Sequence, residues 1–258
     1  MKILAFFACA AVAASAFADE AKAGKARSPE EVAARKEAIY RNTGGFVRKP
    51  GSSAGKVAFI DAQGRFARAE IETSARNIGD TYRIDVVVVE GNADGIAGAV
   101  AAAKRAGGAT GVVVASLDPA MPALIVLPDE RCAIVNVAAF PAECDAGLLR
   151  KQIARGFAAV SGAMSSQADP SLMSAFDNPR KLAAFPAEAI PADVGVRVKN
   201  ALRSMGVTPY LVATYKRACQ EGWAPAPTND VQKAIWNKIH EMPTEPIKIK
   251  PETKKVQQ

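Results

Sequence analysis

The sequence predicts an α/β protein: a mixed β-sheet flanked by helices, with a helical C-terminal extension. Three observations carry that reading. Short β-branched runs alternate with segments of helical periodicity between Val57 and Met164. Val86–Val89 is apolar on both faces, as a strand covered on both sides is. After residue 165 the alternation stops, and Pro170, Pro179, Pro186 and Pro191 punctuate a loop-rich stretch before further helical patterns. A composition of 49% hydrophobic and 23% charged residues over 258 positions supplies a core and argues against wholesale disorder.

The chain opens on Met1-Lys2, continues with the apolar run Ile3–Ala14, and reaches Ala16-Phe17-Ala18 before Asp19-Glu20. A charged start, a short apolar stretch and a small-x-small site predict a cleaved signal peptide at 1–18, of bacterial type. The expected destination is the periplasm or the outside. A lipoprotein reading through Cys9 has too little apolar sequence ahead of it and a poor lipobox. No later apolar run is long enough to span a bilayer.

Ser28-Pro29-Glu30-Glu31 is a capping box with proline at the first helical position, and Gly44-Gly45 stops the helix it starts, over about 29–42. Lys49–Gly55 reads by composition as a flexible linker. Val57–Ile60 is a short strand. A helix follows near 64–78, with Ala67, Ile71, Ala75 and Ile78 on one face. Tyr82–Val89 is the second strand, Gly95–Ala106 an alanine-rich helix stopped by Gly107-Gly108, and Thr110–Ser116 the third strand. Pro122–Leu127 and Cys132–Val137 are strands joined by the turn sequence Pro128-Asp129-Glu130-Arg131. Leu148–Met164 is a helix burying Leu149, Ile153, Phe157, Val160 and Met164. Helices are expected at Pro191–Met205, near 211–221 and at Asn229–Glu241, the last with Val231, Ile235, Trp236 and Ile239 inward. The expected organisation is a signal peptide at 1–18, a basic helix and linker at 19–56, one α/β domain at 57–242 (sheet core 57–165, helical part 166–242) and an extended basic tail at 243–258.

The formal charge is +7, concentrated toward the ends: residues 19–56 hold nine Lys/Arg against five Asp/Glu, and the tail carries Lys248, Lys250, Lys254 and Lys255. No aromatic RNP strand, GxxG clamp or zinc knuckle accompanies it, so nucleic acid is not an expected partner. Contact with the cell envelope or a protein fits a basic exported chain better.

The chemistry is sparse. One histidine, His240, excludes a multi-histidine metal site and leaves one imidazole for any catalytic base. No nucleophile elbow, Walker loop or dinucleotide fingerprint occurs; Gly91-Asn92-Ala93-Asp94-Gly95 reads as a turn with a helix cap. Cys132, Cys144 and Cys219 remain after cleavage, an odd number without close spacing, consistent with one bridge or none. The most unusual segment runs from Tyr215 to Asn229. It sets Cys219, Glu221 and Trp223 beside the stiff Pro225-Ala226-Pro227, ahead of a Thr228-Asn229 cap. Tyr215, Lys216, Cys219, Glu221 and Trp223 are therefore a candidate ligand or partner surface. The competing reading makes Trp223 and Trp236 a clamp buried against the sheet or its helices.

The strand–helix order from Val57 to Met164 resembles the N-terminal subdomain of metzincin-type zinc proteases, especially the archaemetzincin group, and so implies a zincin-like topology. In that family several strands, one of them an edge strand, precede an active-site helix bearing H-E-x-x-H-x-x-G-x-x-H. With Gly162 set on the motif's glycine, the ligand positions fall on Arg155, Ala159 and Ser165, and the glutamate position on Gly156. None is a zinc ligand or general base, so the resemblance implies a scaffold kept without its metal centre, a degenerate relative. The run A-C-Q-E-G-W-A-P-A-P-T-N-D-V-Q-K-A-I-W, Ala218–Trp236, resembles a group of uncharacterised exported bacterial proteins that brings no activity with it. The expectation is an exported binding or envelope-interaction protein with no catalytic residue, metal or cofactor. The alternative is a peptidase-like hydrolase with its site near Cys219–Trp223.

Overall fold

The computed structural model describes residues 28–240. The readings for the signal peptide and the basic tail lie outside the described residues. The chain forms two compact units, Met1–Val47 with Ala213–Gln258, and Arg48–Val212.

In the Arg48–Val212 unit, β2 (Val57–Ala62), β3 (Val86–Glu90), β4 (Thr110–Ala115), β5 (Leu124–Leu127) and β6 (Cys132–Asn136) form one sheet of order β3-β2-β4-β6-β5. β2, β3, β4 and β6 are parallel, and β5 returns antiparallel on β6 as an edge strand. The mixed α/β sheet with an edge strand before a long helix is therefore present. β3 and β4 lie on opposite sides of β2, so right-handed crossovers place α2 (Arg68–Tyr82) and α3 (Gly95–Arg105) on opposite faces. Val57, Phe59, Val112, Val114 and Val135 pack with Ile71, Ile153 and Phe157. Their neighbours Ala58, Ile60, Val113 and Ile134 pack with Ala99, Ala102 and Ala103 of α3. The central strands are buried on both faces because each face has its own helical layer. Alanines let α3 come close: a Cβ on Gly111 of β4 would stand 2.9 Å from that of Ala103.

Asn136 ends β6. Its buried amide accepts from Leu117 N–H at 3.0 Å and Ala138 N–H at 3.3 Å and donates to the Asp118 carbonyl at 2.9 Å. It thereby ties the exit of β4 to the 3₁₀ turn Val137–Ala139. α4 (Ala146–Val160), capped by Asp145, then crosses the sheet, and Gly162 at φ 76° follows its end. Beyond it lie α5 (Pro179–Ala184) and α6 (Ala192–Ser204), whose Val194, Val198 and Leu202 join the core.

In the other unit, α1 (Pro29–Thr43) has the expected capping box and ends at Gly44 with φ 72°. α7 (Tyr215–Gln220) and α8 (Asp230–His240) are the other helices among its described residues, and β1 (Phe46–Arg48) pairs with β7 (Val212–Thr214) in a two-stranded sheet.

Three expectations need correction. Tyr82 ends α2 rather than opening a strand, because Ile71, Ala75, Ile78 and Tyr82 continue one buried stripe and Arg83 turns left-handed at φ 56°. Lys49–Gly55 is not a loose linker: Lys49 N–H donates to the Leu211 carbonyl at 2.9 Å, and Ala54 bridges Thr208. Met164 lies past the end of α4 and is 61% exposed. The loop-rich stretch expected after residue 165 is present, with the short α5, capped by Asn178, inside it.

Candidate functional site

The five motif-equivalent positions are not assembled into a centre. Arg155 turns its guanidinium to the Ser174 carbonyl at 3.2 Å and over the Phe176 ring at 5.1 Å. Burial pushes its pKa down from the ordinary arginine value. Gly156 faces the sheet, where a Cβ would meet Ala133 Cβ and Leu124 Cδ1, each at 3.2 Å. Ala159 is buried, Gly162 makes the left-handed turn, and exposed Ser165 accepts from Arg197 through its carbonyl. Among the described residues, no three His, Cys, Asp or Glu side chains come together as a metal site.

The segment after β7 is built inward from Tyr215. Its side chain is completely buried, its hydroxyl donates to the Pro225 carbonyl at 3.1 Å, and its Cβ lies where Gly44 leaves no room for a side chain. Cys219, one turn on, is 5% exposed, and burial pushes its thiol above the ordinary value. Tyr215 and Cys219 therefore do not belong to a surface, and Cys219 is not the accessible, acidified thiol a nucleophile requires. Cys132, Cys144 and Cys219 are all free thiols. Glu221 is exposed and bonded on both oxygens, to Arg217 at 2.7 Å and to Trp223 Nε1 at 2.7 Å. Trp223 and Trp236 are half-buried, and Trp236 stacks on His240 with centroids 4.1 Å apart. Tyr215 is the fully buried aromatic of this segment. The Thr228-Asn229 cap is present, with Asn229 accepting from Gln232 N–H at 3.0 Å and Gln232 accepting from Thr228 N–H at 2.9 Å.

Lys216 stands on the rim of a groove of about 640 Å³ formed by α1, α7 and α8. Val231, Ile235 and Ile239 of α8 form its apolar floor, and Arg41, Lys216 and Lys238 are its cations. Arg41 is paired with Glu37; Lys216 and Lys238 make no ion pair with a described residue. The stripe 231–235–239 was legible as a helical face, but its junction with α1 joins segments far apart in sequence. A second cavity, of about 290 Å³, lies beside α4 between α2 and the segment 188–190.

The chain matches no protein-family model and no curated protein. Among solved structures it is similar to archaemetzincin from Methanopyrus kandleri, with 14% identity and a TM-score of 0.47, over 60% of this chain and 98% of that one. Similarity at that level transfers no chemistry from one chain to the other.

Proposed function

We propose that the protein is exported through a cleaved signal peptide, residues 1–18, and works outside the cytoplasm as a non-catalytic binding protein that docks on anionic membrane lipid. The groove of α1, α7 and α8 is the docking surface. One observation carries the reading: two lysines, Lys216 and Lys238, which pair with no described acid, flank an apolar floor, and no acidic side chain among the described residues lines the groove. An apolar strip edged by cations suits an interface where headgroup charge lies beside acyl chains. Each lysine near an anionic surface is worth about 1 kcal/mol, close to fivefold in affinity, and salt screens it. The basic sequence of residues 243–258 adds charge of the same sign.

The test is co-sedimentation of the chain from Asp19 with phosphatidylcholine vesicles, with and without phosphatidylglycerol. Binding is expected only with the anionic lipid, to weaken with added salt, and to fall on the order of tenfold or more in Lys216→Glu/Lys238→Glu. Equal binding to both vesicles, or an unaffected double variant, would overturn the assignment. Capture of soluble acidic peptides in preference to vesicles would replace the lipid with a protein partner.

A further inference from the structure

We infer that the cavity between α2, α4 and the segment 188–190 is a binding site for a small, neutral, mainly apolar molecule carrying one hydrogen-bond acceptor. The site lies within the Arg48–Val212 unit and shares no residue with the lysine-rimmed groove, so it stands independently of the membrane reading.

Size is the first argument. A volume of about 290 Å³ lies at the lower end of ligand pockets and admits a compact molecule rather than a chain or a nucleotide. The walls are the second. Ile78 of α2, Ala154 of α4 and Ile190 give an apolar lining. The two small hydroxyls present are already engaged within α2: Ser74 donates to the Glu70 carbonyl at 2.8 Å, and Thr81 to the Asn77 carbonyl at 2.7 Å.

Tyr82 is the decisive group. It lines the same cavity, is 3% exposed, and packs its ring edge-on against Phe157 with centroids 5.2 Å apart. Its hydroxyl makes no hydrogen bond with a described residue and is not among the enclosed, unpartnered polar atoms, so it reaches solvent. Phenylalanine would serve the packing as well, and a hydroxyl held by no protein acceptor can donate to a molecule that enters the cavity. Burial pushes the Tyr82 pKa up to about 12, so the group stays protonated and is available to donate. The ligand must then present an acceptor.

Charge at the mouth sets the remaining condition. The Arg150 guanidinium lies 3.3 Å from a Glu70 oxygen and 3.5 Å from a Glu188 oxygen, so one cation already answers two carboxylates. A third carboxylate would meet that surplus negative charge. A cation would have to be stripped of water against an apolar wall while the carboxylates stay with Arg150. A ketone, ether or similar neutral acceptor meets neither penalty.

The experiment titrates the protein with cyclohexanone, methylcyclohexane, cyclohexanecarboxylate and cyclohexylammonium, followed by amide chemical shifts. Cyclohexanone is expected to bind most tightly and to shift residues of α2 and α4. Tyr82→Phe should weaken cyclohexanone about five- to tenfold and leave methylcyclohexane unchanged. That variant removes only an unpaired hydroxyl, so it is expected to fold. Ala154→Leu, which fills the cavity from α4, should reduce binding of all four probes. The inference is overturned if cyclohexanone shifts no residue of α2 or α4, if it binds Tyr82→Phe and the parent equally, or if either charged probe binds more tightly.

Discussion

The ammonium of Lys151 sits inside the Arg48–Val212 unit, on a residue 5% exposed, and donates to the carbonyls of Leu182, Ala183 and Phe185 at 3.3, 2.8 and 2.5 Å. These carbonyls belong to the C-terminal end of α5 and its exit, where a helix has no internal donors left. Lys151 thus fastens a six-residue helix that its own hydrogen bonds would not hold. Lys151→Met keeps most of the stem's volume and leaves the carbonyls without their donor. The expected loss is roughly 2–4 kcal/mol in urea denaturation, against nearly none for Lys216→Met on the exposed groove rim. A Lys151→Met chain as stable as the parent would mean that water replaces the ammonium at no cost. The sequence did not disclose this residue, because a lysine beside an apolar helical stripe reads as the solvent side. Tyr82 was misjudged for a related reason: its hydroxyl and ring suit a strand as well as a helix end, and only packing against Phe157 decides.

At the scale of elements, periodicity located what was long and failed on what was short. α3, α4, α6 and α8 lie within a few residues of their expected bounds because each carries enough turns for a stripe to show. β1 and β7 have three residues each, and their pairing depends on partners more than 160 positions apart, which no local pattern contains. α4 shows a different limit. It is buried on most sides, between the sheet and α2, α5 and α6, so a single apolar stripe understates how much of it is enclosed. Gly156 is the point of closest approach to the sheet, between Ala133 and Leu124. A glutamate placed there would therefore build no site. Gly156→Glu is expected to destabilise the fold by roughly 3–5 kcal/mol, through overpacking and an unpaired buried carboxylate. The measurement is the urea midpoint by circular dichroism. A change under about 1 kcal/mol would show that this face of α4 opens to water.

For the molecule as a whole, the alternation of strands and helices in a mixed sheet and the basic, imidazole-poor composition were legible, while the meeting of segments from the two ends of the chain was not. Residues 28–47 and 213–240 lie far apart in sequence, whereas the chain brings them into one unit, where Tyr215 N–H donates to the Gly45 carbonyl at 2.9 Å. Neither cavity was legible either, since each is lined from elements distant in sequence.

The buried acids of the Arg48–Val212 unit impose a pH limit on its stability as a whole. Tyr82 is held up at about 12 from an ordinary 10.0, through burial. Cys132, buried in β6, is held at about 11 from 9.0, first by burial and then by the nearby charge of Glu130. Both groups are neutral in the folded chain and ionise more readily once unfolded. Their contributions are thus complete below the unfolded values and disappear as pH rises through the folded ones. Unfolding free energy is expected to fall from about pH 9 and to have lost on the order of 2 kcal/mol per group by pH 12. Urea titrations across that range, with tyrosinate absorbance followed in parallel, check the decline. Tyr82→Phe should flatten the portion above pH 10 and Cys132→Ala the portion from 9 to 11, because each removes one of the two ionisations. A parent chain whose stability stays level to pH 11 would mean that both groups meet water before unfolding.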